Sequence, residues 1–203
     1  MKYKYYFAIA CPFCYLGNPR IFAMEKEFGI KWELKPYSLE GSGGPSSFEP
    51  NYEKYIRLDL QRLADYYKLP IEFDNRDRNI DTTPSLEFFF IANELGKGKK
   101  YLLKTAHAYW ALNKDISKPE VLTEIATSIG LERKDFEHKF GDSGLKELLK
   151  RSTEEGDSEG VFGVPSLFIG DELFWGQDRL ELVRFKLQQT MRESGLGIST
   201  GVH

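Results

Sequence analysis

Cysteine is the scarcest functional residue in this 203-residue chain, which contains only Cys11 and Cys14. Two cysteines cannot build the multi-bridge framework that staples small secreted domains, so the fold has to rest on a hydrophobic core. The three histidines, His107, His138 and His203, are scattered without ligand spacing, and no metal site is assigned. Charge of one sign is also lacking. Lys plus Arg number 28 against 31 Asp plus Glu, with no run long enough to track a nucleic-acid backbone. No apolar stretch approaches the roughly 20 residues that span a bilayer. The apolar run at the N-terminal "MKYKYYFAIA" is short, aromatic-rich and without an A-x-A-like cleavage site, so it reads poorly as a secretory signal. Neither a nucleic-acid nor a membrane partner is expected, and the expected location is cytoplasmic. Repeats and low-complexity blocks are absent too.

What is present reads as a folded domain with one interruption. Hydrophobic residues make up 41% and charged residues 29%, ordinary globular proportions. Residues 3–10, "YKYYFAIA", read as a buried strand. In "GIKWELKPYSL", Ile30, Trp32 and Leu34 alternate with Lys31, Glu33 and Lys35 as a second strand. Between them, Ile21, Met24 and Phe28 line one face of a helix that Gly29 ends, with Gly17 and Pro19 expected to bend or restart it. This is a βαβ unit, right-handed by rule.

After the linker "EGSGGPSS" the periodicity turns helical for about a hundred residues. Ile56, Leu60, Leu63 and Tyr67 mark a helix stopped by Pro70. Thr83 is the expected cap of a second, with Pro84 next and Gly96 past its end. Ser117 and Glu120 are expected to form a capping box for a third that Gly130 ends. Phe136 with Phe140, and Leu145 with Leu148 and Leu149, mark two more. The chain then returns to strands at Ser166–Ile169 and Glu172–Trp175 around a Gly-Asp turn, followed by a helix carrying Leu180, Val183, Leu187 and Met191. The order β-α-β, helices, β-β-α is that of an α/β thioredoxin-like fold with an all-helical insertion. The expected division is 1–40 with 160–194 as the thioredoxin-like domain, 41–159 as the insertion, and 195–203 as a loosely held tail.

That order sets "ACPFC" where the first strand meets the first helix. Unsatisfied N–H groups and about half a positive charge at a helix start stabilise a thiolate, lowering a cysteine from its usual value of about 8.5. Cys11 at the mouth is the expected nucleophile, and Cys14, one turn on and pointing back into the protein, the resolving thiol. Pro12 suits the first helical position, and Phe13 lends the rim an apolar surface. Half of a zinc site, or two inert core cysteines, are the competing readings of the pair.

Two further features lie near the C-terminus. Val164-Pro165 precedes the third strand; the proline is either an allowed strand-entrance residue or a cis bond that turns the Val164 N–H and C=O outward toward a substrate beside Cys11. In "GQDR", Asp178 either matches the helix dipole or meets an ammonium while Gln177 and nearby amides hold a carboxylate, together gripping a γ-glutamyl group.

"CPFCYLG", "YIRLDLQRLADYYKLPIEF", "NKDISKPEVLTEIATSIGL" and "GVFGVPSLFIGDELFWGQDRLELV" resemble, in order, the family of DsbA-like thiol-disulfide oxidoreductases, 2-hydroxychromene-2-carboxylate isomerases and kappa-class glutathione transferases. The resemblance implies a thioredoxin fold split by helices, Val164 as backbone partner of a glutathione cysteinyl residue, and Asp178 as a glutathione contact. It departs at the active turn, where isomerases and kappa transferases look like S-P-Y-S and this chain has Cys11 and Cys14. A second departure is Tyr52, with Lys54 two positions on, where a lysine contact is expected. The first expectation is therefore a thiol-disulfide oxidoreductase with no tightly bound cofactor, acting on a disulfide-bearing protein or small thiol, with glutathione admitted as cosubstrate and a homodimer admitted as assembly. The alternative is a glutathione-dependent isomerase or transferase, and a non-catalytic thiol or metal-binding module is the third.

Overall fold

The structure is a computed structural model and describes residues 1–39, 50–73, 80–136 and 139–193; the linker at 40–47, the tail at 195–203, His138 and His203 lie outside them. Strands β1 (Tyr3–Phe7), β2 (Glu33–Pro36), β3 (Ser166–Ile169) and β4 (Glu172–Trp175) form one sheet in the order β2-β1-β3-β4. β1 and β2 run parallel, while β1/β3 and β3/β4 are antiparallel, as a crossover helix and a tight Gly170-Asp171 turn require. Gly170 adopts φ 63°, a conformation that only glycine takes without strain.

Helix α1 (Pro12–Phe28) makes that crossover, and Gly29 ends it at φ 64°. It runs uninterrupted through Gly17 and Pro19, so the expected restart does not occur. Strand β1 is three residues shorter than expected, because the Cys11 N–H turns back to the Ala8 carbonyl at 3.2 Å and the chain leaves the sheet there. β2 is likewise confined to four residues, with Trp32 buried just ahead of it and its indole N–H donating to the Ile21 carbonyl at 3.0 Å.

Between β2 and β3 lie α2 (Pro50–Tyr67), α3 (Thr83–Glu94), α4 (Gly98–Trp110), α5 (Pro119–Ser128) and α6 (Ser143–Ser158); α7 (Leu180–Glu193) closes the described chain. Three helix expectations need correction. Thr83 lies inside α3 and its N–H goes to the Asp81 carboxylate at 2.9 Å, so no hydroxyl caps that helix. The Ser117 and Glu120 box does not form: Pro119 fixes the first helical residue one position later, and the Ser117 N–H and hydroxyl both donate to Asp115. Phe136 and Phe140 do not share a helix; a short 3-10 turn at Arg133–Asp135, capped reciprocally by Glu132 and Asp135, carries the buried Phe136. Leu148 on α6 is 44% exposed, whereas Leu145 and Leu149 are buried.

Alternation along β1 separates two faces. Tyr5 and Phe7 point to the α1 side, where Tyr5 packs against Phe22 with ring centroids 6.1 Å apart. Lys4 and Tyr6 point to α6. There Lys4 Nζ meets Glu155 at 2.8 Å and also Glu159, the Tyr6 hydroxyl donates to Glu159 at 2.9 Å, and Lys35 reaches Glu155 at 2.9 Å. A lysine that is 8% exposed is tolerated because two carboxylates face it.

Candidate functional site

The site is built where β1 hands over to α1. Cys11 is the N-cap residue of that helix, in an extended conformation, and its Sγ accepts the Cys14 N–H at 3.4 Å. Pro12 occupies the first turn, where its missing N–H leaves nothing unpaired. Both cysteines are free and buried, Cys11 at 6% and Cys14 at 1% exposure. Cys11 is thus more enclosed than the rim position expected of it, while Pro12 and Phe13 remain half-exposed.

Enclosure and hydrogen bonding act on the two sulfurs in opposite directions. A hydrogen bond from the Cys14 thiol, reinforced by the N–H groups of Cys14 and Phe13, holds Cys11 below the ordinary thiol value against the upward push of burial. Burial pushes Cys14 well up, and donating to Cys11 adds to the effect. One sulfur is disposed to ionise and its neighbour to keep its proton. The helix terminus alone was the activating group expected from sequence; the Cys14 thiol is a second.

Val164-Pro165 is a cis peptide. The Val164 carbonyl does not face outward as expected: it lies 3.2 Å from Cys11 Sγ, where it accepts from the protonated thiol. Gln177 is similarly committed. It is 5% exposed, packs beside Gly17, and takes the Arg20 guanidinium on both its side-chain and backbone oxygens, the latter at 3.2 Å. Arg20 also stacks on Tyr67 at 3.9 Å. Asp178, in the 3-10 turn ahead of α7, is exposed and pairs with its neighbour Arg179 at 2.6 Å. It is the acidic residue of that turn, whose N-cap is Gly176.

A cavity of about 350 Å³ opens beside the cysteine turn. Ala10 and Pro12, the residues on either side of Cys11, form one wall; Ile56, Leu60 and Trp110 from α2 and α4 are part of the remainder, with Arg57 supplying a cation. Trp110 is fixed there by an indole N–H bond to the Ile9 carbonyl at 3.1 Å and by stacking on Tyr15. Tyr15 in turn donates to the Pro70 carbonyl at 2.7 Å, tying α1 to the chain beyond α2. Sequence reading missed the Trp110 part of this wall because α4 carries no side-chain cap at its start. It missed Arg20 as well, whose partner lies 157 residues away.

The match to the description "DSBA-like thioredoxin domain" extends over residues 4–188. The chain belongs to that family. A 2-hydroxychromene-2-carboxylate isomerase from Pseudomonas putida is 28% identical over 208 residues, covering 96% of this chain and 98% of the relative. The structure of a 2-hydroxychromene-2-carboxylate isomerase matches with a TM-score of 0.85 at 24% identity, covering 98% of this chain and all of the other. The cytosolic disulfide reductase DsbM from Pseudomonas aeruginosa, solved with GSH, matches with a TM-score of 0.72 at 21% identity over 95% of this chain and all of the other. The expected α/β thioredoxin-like fold of this DsbA-family member is therefore its fold. Among its described residues, no helix is long and apolar enough to cross a membrane.

Proposed function

We propose that this DsbA-family chain is a thiol-disulfide oxidoreductase working through Cys11 and Cys14. The observation that carries the reading is the unequal pair: a helix-capping sulfur that receives the Cys14 N–H and is held low, next to a more deeply buried thiol held high. Cys11 thiolate attacks a substrate disulfide, forming a mixed disulfide and releasing one substrate thiolate, which takes a proton. Cys14 then attacks Cys11 Sγ, forming the Cys11–Cys14 bond and expelling the second substrate thiol. Two electrons pass from the cysteine pair to the substrate, and the reverse direction uses the same atoms. Before attack the Cys11 thiol leaves the Val164 carbonyl, which is then available with the Val164 N–H, beside Pro165, to an extended peptide or to glutathione. Pro12 and Phe13 form the apolar rim of that approach. Asp178, exposed two residues after Gly176, whose N–H donates to the Pro165 carbonyl at 2.8 Å, suits a γ-glutamyl ammonium better than Gln177, already held by Arg20, suits its carboxylate. The reading needs no tightly bound cofactor, takes a disulfide-bearing protein or small thiol as partner, and places the chain in the cytoplasm.

The test is equilibration of the protein in dithiothreitol buffers of graded potential, followed by alkylation and intact mass. A two-electron transition involving both cysteines is expected; a pair that stays reduced across the series overturns the reading.

A second reading has its own observation. The apolar cavity flanked by Ala10 and Pro12 suits a small aromatic substrate, and the Pseudomonas putida relative carries an isomerase name. Glutathione would then be a cosubstrate, with Cys11 placed to hold its thiolate. Isomerase turnover that survives Cys14→Ser selects this reading, since only disulfide resolution needs Cys14.

A further inference from the structure

One pair of buried polar side chains next to Cys14 has no part in the reaction just described. Asn18 stands one helical turn after Cys14, so the two residues share a face of α1. Tyr5 on β1 reaches that face from the sheet: its hydroxyl donates to Asn18 Oδ1 at 2.8 Å and lies within hydrogen-bonding influence of the Cys14 thiol. Tyr5 is fully buried and Asn18 is 1% exposed. Phe7 and Phe22 pack on the phenol, with centroids 5.6 and 6.1 Å away. In this dry setting Asn18 Nδ2 has no acceptor among the described residues.

A buried donor without an acceptor is destabilising, and a bond required only for packing would not leave one behind. The two ends of an amide are nearly identical in shape. Turned by half a revolution, Asn18 gives its orphan N–H to the Tyr5 oxygen. That leaves the Tyr5 O–H without its carboxamide acceptor, and the Cys14 sulfur is the polar atom beside it. The structure shows Tyr5 donating to Asn18; rotation of the amide would give a second arrangement, with Tyr5 donating to sulfur.

We infer that Tyr5 and Asn18 form a two-position hydrogen-bond switch that donates to the Cys14 sulfur when it becomes a thiolate during resolution. This rests on the disulfide-exchange reading. The Cys14 proton leaves for the departing substrate thiolate; Cys14 attacks Cys11 Sγ, the bond between Cys11 and the substrate sulfur breaks, and the electron pair goes with the substrate. Tyr5 keeps its own proton throughout, because burial raises its phenol well above the ordinary tyrosine value and makes it a donor rather than a base. Asn18 is a positioning residue acting through Tyr5. The need for such a device follows from the burial of Cys14, which otherwise opposes the charge that resolution requires.

The test follows both half-reactions on the full-length protein. Reduced wild type, Cys14→Ser and Tyr5→Phe are mixed with glutathione disulfide, acid-quenched over time and weighed intact. Cys14→Ser is expected to stop at the mixed disulfide; if it takes up no glutathione, the disulfide-exchange reading falls and the switch falls with it. Tyr5→Phe is expected to form the mixed disulfide within about twofold of the wild-type rate but to resolve it about tenfold more slowly, with the pH profile of resolution displaced upward by about one unit. An unchanged resolution step, or equal slowing of both steps, overturns the switch and leaves the disulfide-exchange reading standing. Should Tyr5→Phe not fold, 3-fluorotyrosine placed at position 5 is a stronger donor of the same shape: a downward displacement of the resolution profile supports the switch, and an unmoved profile overturns it.

Discussion

Cys11 and Val164 meet sulfur to carbonyl at 3.2 Å, and the same sulfur takes the Cys14 N–H at 3.4 Å. The two contacts favour different protonation states: the carbonyl accepts only from a thiol, whereas the N–H favours a thiolate. The donors prevail, with the Cys14 thiol the strongest of them. Iodoacetamide trapping as a function of pH should therefore give Cys11 a midpoint below that of an ordinary thiol and leave Cys14 unmodified over the same range. Cys14→Ala removes the thiol donor but keeps the backbone N–H, so the Cys11 midpoint should rise. A midpoint that does not move would show the helix terminus to act alone.

The reverse face of the sheet offers a test of stability against pH. Burial lowers Lys4, but the hydrogen bonds to Glu155 and Glu159 outweigh it and the net value lies above 10.5; burial raises Glu155, but Lys4 and Lys35 outweigh it and the net value lies below 4.5. The Lys4 contribution is accordingly complete below 10.5 and disappears as pH rises through its folded value. The Glu155 contribution is complete above 4.5 and disappears as pH falls through its folded value. Lys4→Met should cost about 2 kcal/mol at pH 7, since it leaves Glu159 facing Glu155 with Lys35 on Glu155 and the Tyr6 hydroxyl on Glu159 to compensate. Urea melts at pH 7 and pH 3 should show a smaller acid loss in the variant than in the wild type.

Gly156 lies within α6, where alanine would ordinarily help a helix by about 1 kcal/mol. Here a Cβ would stand 3.0 Å from Tyr37 Cδ2 and 3.1 Å from Tyr6 Cε1. Both rings belong to the core, so the steric cost, about 1 to 3 kcal/mol for overpacking, should exceed the helical gain. Gly156→Ala is expected to lower Tm, while a rise would mean that the rings move freely.

Asp178 separates binding from stability. Its pair with Arg179 is exposed and close to neutral in energy. Asp178→Asn should leave Tm essentially unchanged but weaken glutathione binding by about tenfold in calorimetric titration, the loss of one charge-assisted contact. Undiminished binding would remove Asp178 from the glutathione surface.

Local signals were readable wherever the determinant was local. The buried first strand, shortened at its C-terminal end, the Gly29 stop of α1, the Gly170-Asp171 hairpin and the Leu180 to Met191 face of α7 all appear in the structure where sequence put them. Helix α4 went unread because its start carries no side-chain cap and its buried face of Tyr101, Leu102, Thr105, Ala106 and Tyr109 mixes polar and small residues with apolar ones, which weakens the 3.6-residue signal. At the site, the chain position of the cysteines was enough to place them at a helix start. The commitment of the Val164 carbonyl to Cys11 and of Gln177 to Arg20 was not legible, since each joins residues more than 150 positions apart. Asn18 left a faint trace as a polar residue spaced four from Cys14 on an otherwise apolar face.

Trp110 carries one more consequence. Of the three tryptophans in the chain, Trp32 is buried beside β2, Trp175 is half exposed at the end of β4, and Trp110 alone forms part of the cavity wall next to the cysteine turn. Its emission is an intrinsic optical gauge of that chamber. Replacing the other two indoles with phenylalanine would leave a protein whose fluorescence reports occupancy directly, before any substrate has been identified.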